Sequence, residues 1–110
     1  MEQFDFTTIQ KSLPNAPGIY KYYGAQQNLL YIGKAKNIRK RVSSYFTKSN
    51  HSFKTNELVK QIRHIEFTIV NSEHDALLLE NALIKEFKPR YNIELKDDKT
   101  YPYIVIKKED

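Results

Sequence analysis

The chain has 110 residues, of which 40% are hydrophobic, and this fits one small globular domain. It contains no cysteine, which excludes disulfides and thiolate metal sites and suits a reducing cytoplasm. It also lacks a membrane-length apolar run and a signal-peptide pattern. The net charge of +5 is concentrated between Tyr31 and Arg63, where nine Lys or Arg residues occur with one acid, Glu57. Such segregation favours a polyanionic partner, with nucleic acid a better candidate than a membrane surface.

The first half of the chain predicts, in order, a short helix, a β-hairpin and a second helix. The predicted elements are the helix Asp5–Leu13, the strands Ile19–Tyr23 and Leu29–Ile32, and the helix Ile38–Phe46. Pro14 ends the first helix, and the polar segment 24–28 forms the hairpin turn. Asn37 is placed to cap the second helix, whose apolar side carries Ile38, Val42 and Tyr45.

The second half predicts a short helix, a third strand and a long helix. The short helix is capped by Thr55 and runs through Arg63, the strand is Ile65–Val70, and the long helix lies between Ser72 and Pro89. An irregular run through Lys99 and an apolar stretch, Tyr101–Ile106, follow. The pattern therefore predicts one α+β domain, a small antiparallel three-stranded sheet flanked by helices.

The long helix places a carboxylate among apolar residues. At about 100° per residue, Glu80 falls in the middle of an arc that is otherwise apolar, formed by Ala76, Leu77, Leu79, Leu83, Ile84 and Phe87. Burying an unpaired charge is expensive. Glu80 therefore has two interpretations. It is a structural residue, paired with a buried Arg or lying at the rim of the core, or it is a functional residue, serving as a metal ligand or catalytic carboxylate in a cleft. The helix alone favours neither interpretation.

Other candidates for chemistry lie on the hairpin and the second helix. Tyr20 and Tyr31 are on neighbouring strands and can share a face, although paired strand tyrosines are usually core residues. Gly33 allows close backbone approach, and Lys34 can reach a phosphate. Arg41 lies beside the apolar side of its helix, where it is pre-organised to grip a phosphate.

These residue types suit phosphodiester hydrolysis. That reaction needs a cation for the charged transition state, an activated water and help for the leaving oxygen. Glu80 could hold one Mg²⁺, which takes few protein ligands. A tyrosine hydroxyl could relay the proton of water. The remaining cations of the basic region, Lys36, Arg39, Lys40 and Lys48, are predicted to make solvated contacts with the DNA backbone.

The motifs Gly18-Ile19-Tyr20 and Tyr31-Ile32-Gly33 resemble the signature of the GIY-YIG nuclease superfamily. The surrounding segments LLYIGKAKNIRKRVSSYF, LLLENALIKEFKPRYN and LKDDKTYPYI are similar to the N-terminal nuclease domain of the bacterial UvrC family of excinuclease components. The resemblance runs from about Leu13 to Ile106. It implies an endonuclease of nucleotide excision repair that cuts on the 3′ side of a lesion.

The resemblance also assigns roles to site residues. It implies Glu80 as the single ligand of Mg²⁺ or Mn²⁺, Arg41 as the phosphate-stabilising group, and one of Tyr20 and Tyr31 as the proton relay. The remaining matched positions are Gly33, Lys34, Tyr45 and the supporting amide Asn92. The implied partners are duplex DNA and, through parts of a longer protein, the excinuclease component UvrB. The domain itself is expected to be monomeric, cytoplasmic and independent of membranes.

Two other classes of function remain open at the level of sequence. The basic helix 38–46 could belong to a non-catalytic nucleic-acid-binding module, or the basic face could meet an acidic protein. Neither function needs an inward carboxylate at Glu80, so the residue pattern favours the nuclease.

Overall fold

The computed structural model describes residues 5–47 and 51–93. The elements run in the order α1 (Phe6–Gln10), β1 (Gly18–Tyr23), β2 (Leu29–Ala35), α2 (Ile38–Thr47), α3 (Phe53–Gln61), β3 (His64–Ile69) and α4 (Glu73–Phe87). This order confirms the predicted α+β class. The predicted apolar stretch Tyr101–Ile106 lies outside the described residues. Within the described ranges, no helix has the length and apolar character needed to cross a bilayer.

The three strands form one antiparallel sheet in the order β2-β1-β3. The hairpin turn between β1 and β2 is closed by the Gly24 N–H, which donates to the Asn28 carbonyl at 2.9 Å. Both strands are longer than predicted, because the pairing continues until Gly18 lies opposite Ala35. The segment after Ile32, predicted to leave the sheet, instead stays in β2. Gly33 and Lys34 therefore occupy fixed strand positions.

The two faces of the sheet are covered by different helices. Ile19 and Ile32 point to the face on which α4 packs, through its buried Ala76. Tyr20 and Tyr22 point to the other face, where the core also takes side chains from α1, α2 and α3. Since side chains alternate along a strand, consecutive residues of β1 serve two separate cores.

The helix ends show which capping predictions are right. Asn37 accepts a hydrogen bond from the Lys40 N–H at 3.0 Å, and Ser72 accepts one from the Asp75 N–H at 3.2 Å, so both predicted caps are confirmed. The predicted Thr55 cap is wrong: Ser52 accepts from the Thr55 N–H at 3.2 Å, and α3 begins three residues earlier than predicted and ends at Gln61.

The apolar arc of α4 is narrower than predicted. Ala76 is buried, and Leu79, Leu83 and Ile84 pack against its cluster. Leu77 and Phe87 are exposed, contrary to the prediction, because the helix meets the sheet along a narrow strip and Phe87 is its last residue. After Pro89 the chain forms a helical turn over 90–93, where an irregular run was predicted. Residues from 94 onward lie outside the description.

Candidate active site

Strand register brings the hairpin tyrosines together. Tyr20 lies opposite Gly33 and Tyr22 lies opposite Tyr31, so the three tyrosines share one face. The ring centroids of Tyr20 and Tyr31 are 6.2 Å apart. A Cβ atom at Gly33 would collide with the Tyr20 ring and hydroxyl. The glycine therefore allows the Tyr20 ring to approach the backbone closely at this position.

Helix α2 contributes the next two groups from adjacent turns. Tyr45 places its hydroxyl 3.0 Å from the Tyr20 hydroxyl. Arg41, one turn earlier on the same side of the helix, puts its guanidinium near the same hydroxyls, and the Tyr20 phenol raises the pKa of Arg41. Arg41 is exposed on its outer side. It is therefore a permanent cation that contacts both the tyrosine cluster and solvent.

The tyrosine hydroxyls are neutral in the free domain. Burial raises the pKa of Tyr20 well above its ordinary value, and the neighbouring Tyr31 adds to the effect. Burial likewise raises the pKa values of Tyr31 and Tyr45. The Arg41 charge opposes each of these shifts. A phenolate would therefore form here only with additional positive charge nearby.

Glu80 lies at the rim of the core, within reach of two cations. Burial raises the pKa of its carboxyl, while the Lys34 ammonium, the Lys34 backbone N–H and the Arg41 guanidinium act in the opposite direction. The side chain is half-buried. Arg41 is not a buried partner, so the interpretation of Glu80 as one half of a buried ion pair fails. Among the described residues, no three His, Cys, Asp or Glu side chains form a metal-ligating cluster.

Asn92 fixes the open edge of the sheet beside the site. Its Oδ1 accepts from the Ile32 N–H and its Nδ2 donates to the Ile32 carbonyl, both at 2.8 Å. β2 is an edge strand, so this amide takes the place of a neighbouring strand. Tyr31 and Gly33 flank the bonded residue, and their backbone is held as a result.

A basic cleft of about 610 Å³ opens next to Arg41 and Lys34. The exposed Lys36 and Lys40 also line this cleft, and the one acidic residue among the described residues that line it is Glu73 at the start of α4. The remaining lining residues are Ala35, Asn37 and Ser44. The predicted cationic surface is thus continuous with the candidate site at these residues, while Lys48 lies outside the described part of the chain.

Arg39 does not have the solvated position that was predicted. Its Nε donates to the Leu13 carbonyl at 2.8 Å, and its NH2 group donates to the Lys11 carbonyl at 2.9 Å. The side chain therefore ties α2 to the segment after α1. This contact joins residues far apart in sequence, which a local charge pattern does not reveal.

Two neighbours of the site were not singled out from the sequence. Tyr22 is fully buried, with its ring 5.2 Å from that of Tyr45, and its hydroxyl has no partner among the described residues. The sequence signal for Tyr22 is its position two residues after Tyr20, which puts both side chains on the same face of a strand. His51 is half-buried against Tyr45.

Strand register thus places the Gly18-Ile19-Tyr20 and Tyr31-Ile32-Gly33 motifs side by side, with the Glu80 carboxylate beside Lys34 and Arg41. The family model of the UvrC-like GIY-YIG domain matches residues 16–93. The chain belongs to this family and is an endonuclease domain of the UvrC type.

Named relatives agree with this assignment. UvrABC system protein C of Cytophaga hutchinsonii is 52% identical over 111 residues, covering 100% of this chain and 19% of the relative. That of Flavobacterium psychrophilum is 60% identical over 99 residues, covering 90% of this chain and 16% of the relative. The chain thus spans about a fifth or less of the length of these relatives.

A solved structure extends the match to three dimensions. The N-terminal GIY-YIG endonuclease domain of UvrC from Thermotoga maritima was crystallised with magnesium as its catalytic divalent cation. It superposes with a TM-score of 0.69 at 30% sequence identity, over 78% of this chain and 93% of that one.

Proposed function

We propose that this domain hydrolyses a phosphodiester bond of DNA with Glu80 as its metal ligand, Arg41 and Lys34 as phosphate-binding cations and Tyr31 as the proton relay. The observation that carries the proposal is the position of Glu80. A single half-buried carboxylate lies beside two cations that also line a basic cleft. A structural ion pair would need neither the cleft nor the hydroxyl cluster.

The donor set at Glu80 fits one Mg²⁺ or Mn²⁺. Magnesium keeps several of its waters and binds proteins through one or two carboxylates, so a lone Glu is sufficient. When bound, the ion supplies positive charge that stabilises the developing phosphate charge and eases proton loss from water. Burial raises the pKa of Glu80, which means that the free carboxylate is under-solvated and gains from a cation.

Arg41 and Lys34 are placed to bind the phosphate from the protein side. Arg41 offers a planar set of N–H donors suited to two phosphate oxygens, whereas Lys34 acts as a point charge. Arg41 lies where the basic cleft meets the tyrosine cluster, and Lys34 lines the same cleft beside Glu80. Lys36 and Lys40 extend the positive surface along the cleft and suit neighbouring phosphates of the strand.

Tyr31 suits the relay better than Tyr20. Both tyrosines interact with the Tyr45 hydroxyl, but Tyr20 is fully buried and its hydroxyl also interacts with the Arg41 guanidinium. Tyr31 is less buried, and it is the one of the two on which the Glu80 charge acts. Its hydroxyl is therefore nearer to the side where an attacking water would be activated, and Arg41 lowers the cost of negative charge on the cluster.

The biological setting is proposed on the same basis. Within a longer UvrC-like protein, the domain would cut the damaged strand on the 3′ side of a lesion in the cytoplasm. The basic cleft binds phosphates without reading sequence, so lesion choice would come from a complex of UvrB with DNA that presents the strand to a monomeric domain.

The test is a nicking assay on duplex DNA with and without Mg²⁺, using wild type, Glu80→Gln and Glu86→Gln. Glu86 is an exposed residue of the same helix and serves as the matched control. We expect metal-dependent nicking by wild type and Glu86→Gln, and none by Glu80→Gln, with DNA binding retained in all three. Undiminished nicking by Glu80→Gln would reject the metal site. DNA binding with no nicking by wild type would instead favour a binding module.

A further inference from the structure

His51 makes two contacts with Tyr45. Its Nε2 lies 3.1 Å from the Tyr45 carbonyl oxygen, and the two rings stack with centroids 6.1 Å apart and planes 27° from parallel. A carbonyl oxygen can only accept, so Nε2 carries the proton and donates. His51 is therefore bound to both the backbone and the side chain of this tyrosine.

Tyr45 needs such support because of its place in α2. Its carbonyl is in the last turn, where C=O groups lack partners within the helix. Its ring contacts the rings of Tyr20, Tyr22 and Tyr31 at centroid distances of 5.8, 5.2 and 6.3 Å. All three of these rings belong to the sheet, and His51 adds a ring contact from outside it.

We propose that His51 is a positioning residue that holds Tyr45 in place, so that the Tyr45 hydroxyl remains hydrogen-bonded to the Tyr20 hydroxyl. The hydrogen bond fixes the helix end, and the stacked imidazole prevents the half-buried ring from turning outward. His51 thus acts on the reaction through Tyr45 without touching the substrate. The inference rests on the proposed function, in which the tyrosine cluster takes part in DNA cleavage.

Two other roles for His51 make different predictions. A histidine that contacted a DNA phosphate would change the half-saturating DNA concentration and its salt dependence. A histidine that only stabilised the fold would lower the melting temperature and leave the rate per folded molecule unchanged. A positioning role lowers the saturating rate, because small misplacements of reacting groups are costly.

Three substitutions separate the two contacts. His51→Ala removes both, His51→Phe retains a stacking ring without a donor, and His51→Gln retains an N–H donor without the ring. We expect His51→Ala to lower the saturating nicking rate on the order of 10-fold, with partial recovery in each of the other two variants. His64→Ala is the control, because His64 is exposed on β3 and contacts Glu66.

The decisive measurement is a double-mutant cycle with Tyr45→Phe, which removes the hydroxyl that His51 is proposed to hold. If His51 acts through that hydroxyl, His51→Ala lowers the rate by less than about 2-fold in the Tyr45→Phe background, because the two effects share one interaction. Losses that multiply independently would overturn the proposal. So would an unchanged saturating rate combined with weaker DNA binding of reduced salt dependence, the pattern expected when a phosphate contact is lost.

An NMR measurement that does not depend on DNA cleavage separates this inference from the proposed function. In NMR spectra of the ring-labelled tyrosines, the Tyr45 resonance is the one lost in Tyr45→Phe. We expect His51→Ala to shift this resonance and to leave in place that of Tyr23, whose hydroxyl donates to Glu66. An unmoved Tyr45 signal overturns the positioning role even if the wild type never nicks DNA.

Discussion

The two faces of the sheet differ in what their cores are made of. On the face covered by α4, Ile19, Ile32 and Ala76 form a cluster without polar side-chain atoms. On the other face, the core includes Tyr20 and Tyr22, and site hydroxyls lie inside it. Buried hydroxyls destabilise a fold unless they are hydrogen-bonded. The comparison indicates that the aliphatic face maintains the fold, while the tyrosine face combines packing with chemistry.

The largest expected difference is between two consecutive residues of β2, Tyr31 and Ile32, which point to opposite faces. We expect Tyr31→Phe to lower the nicking rate by about 10²- to 10⁴-fold, the usual loss when a general acid–base group is removed. Ile32→Val should leave the rate per folded molecule unchanged and cost about 0.5–1.5 kcal/mol of unfolding free energy. Single-turnover nicking and denaturant titration of both variants measure these effects.

The reverse pattern would contradict the division between the faces. A fully active Tyr31→Phe would mean that its hydroxyl is dispensable, and Tyr20 would become the relay to test. A rate loss in a stable Ile32→Val would mean that the aliphatic face also sets site geometry. Asn92 offers a path for such an effect, because its amide is bonded to the Ile32 backbone.

The second largest expected difference is between the effects of substituting Arg41 and Lys40, adjacent cations of α2 that both line the cleft. We expect Arg41→Ala to lower the rate at saturating DNA on the order of 10²-fold, as losing a transition-state charge contact does. Lys40→Ala should weaken DNA binding and reduce its salt dependence without changing the saturating rate. Salt titrations and saturating rates test this, and equal rate losses in both variants would contradict it.

The smallest expected effect concerns Glu73, the acid that lines the cleft together with its cations. Its charge repels a DNA strand, so Glu73→Gln should tighten DNA binding by about 1.4- to 5-fold, the equivalent of roughly 0.2–1 kcal/mol for an exposed charge. Glu86→Gln, on the same helix but not lining the cleft, should bind as the wild type does. Fluorescence anisotropy at low salt would measure this difference. Weaker binding or lost nicking in Glu73→Gln would mean that this carboxylate has a role in the site.

Local signals predicted the parts of the fold that depend on neighbouring residues. The caps Asn37 and Ser72, the hairpin and the inward-turned Glu80 all follow from spacing within a few residues. Two features that the sequence did not reveal depend on distant contacts. Arg39 bonds to carbonyls 26 and 28 residues away. The reason for Gly33 is the Tyr20 ring, which is visible only once the strand register is known.

The α4 prediction failed for a related reason. Helical periodicity placed Leu77 and Phe87 on the same apolar arc as Leu79. The number of helix positions that are buried, however, depends on how the helix crosses the sheet. Similarly, His51 and Tyr45 are six residues apart, and no motif in the sequence marks their contact.

The central claim is that Glu80 is present for a cation and not for the fold, and unfolding free energies with and without Mg²⁺ test it most directly. Burial raises the pKa of Glu80, so its contribution to stability is complete below the ordinary pKa of the carboxyl and is lost as the pH rises through the raised pKa. Without metal, Glu80→Gln should therefore be at least as stable as wild type at neutral pH, and this advantage should vanish in acid. At ten times its Kd, Mg²⁺ should stabilise wild type by about 1.4 kcal/mol and leave Glu80→Gln unchanged. Equal stabilisation of both proteins, or a Glu80→Gln variant less stable than wild type without metal, would contradict the account.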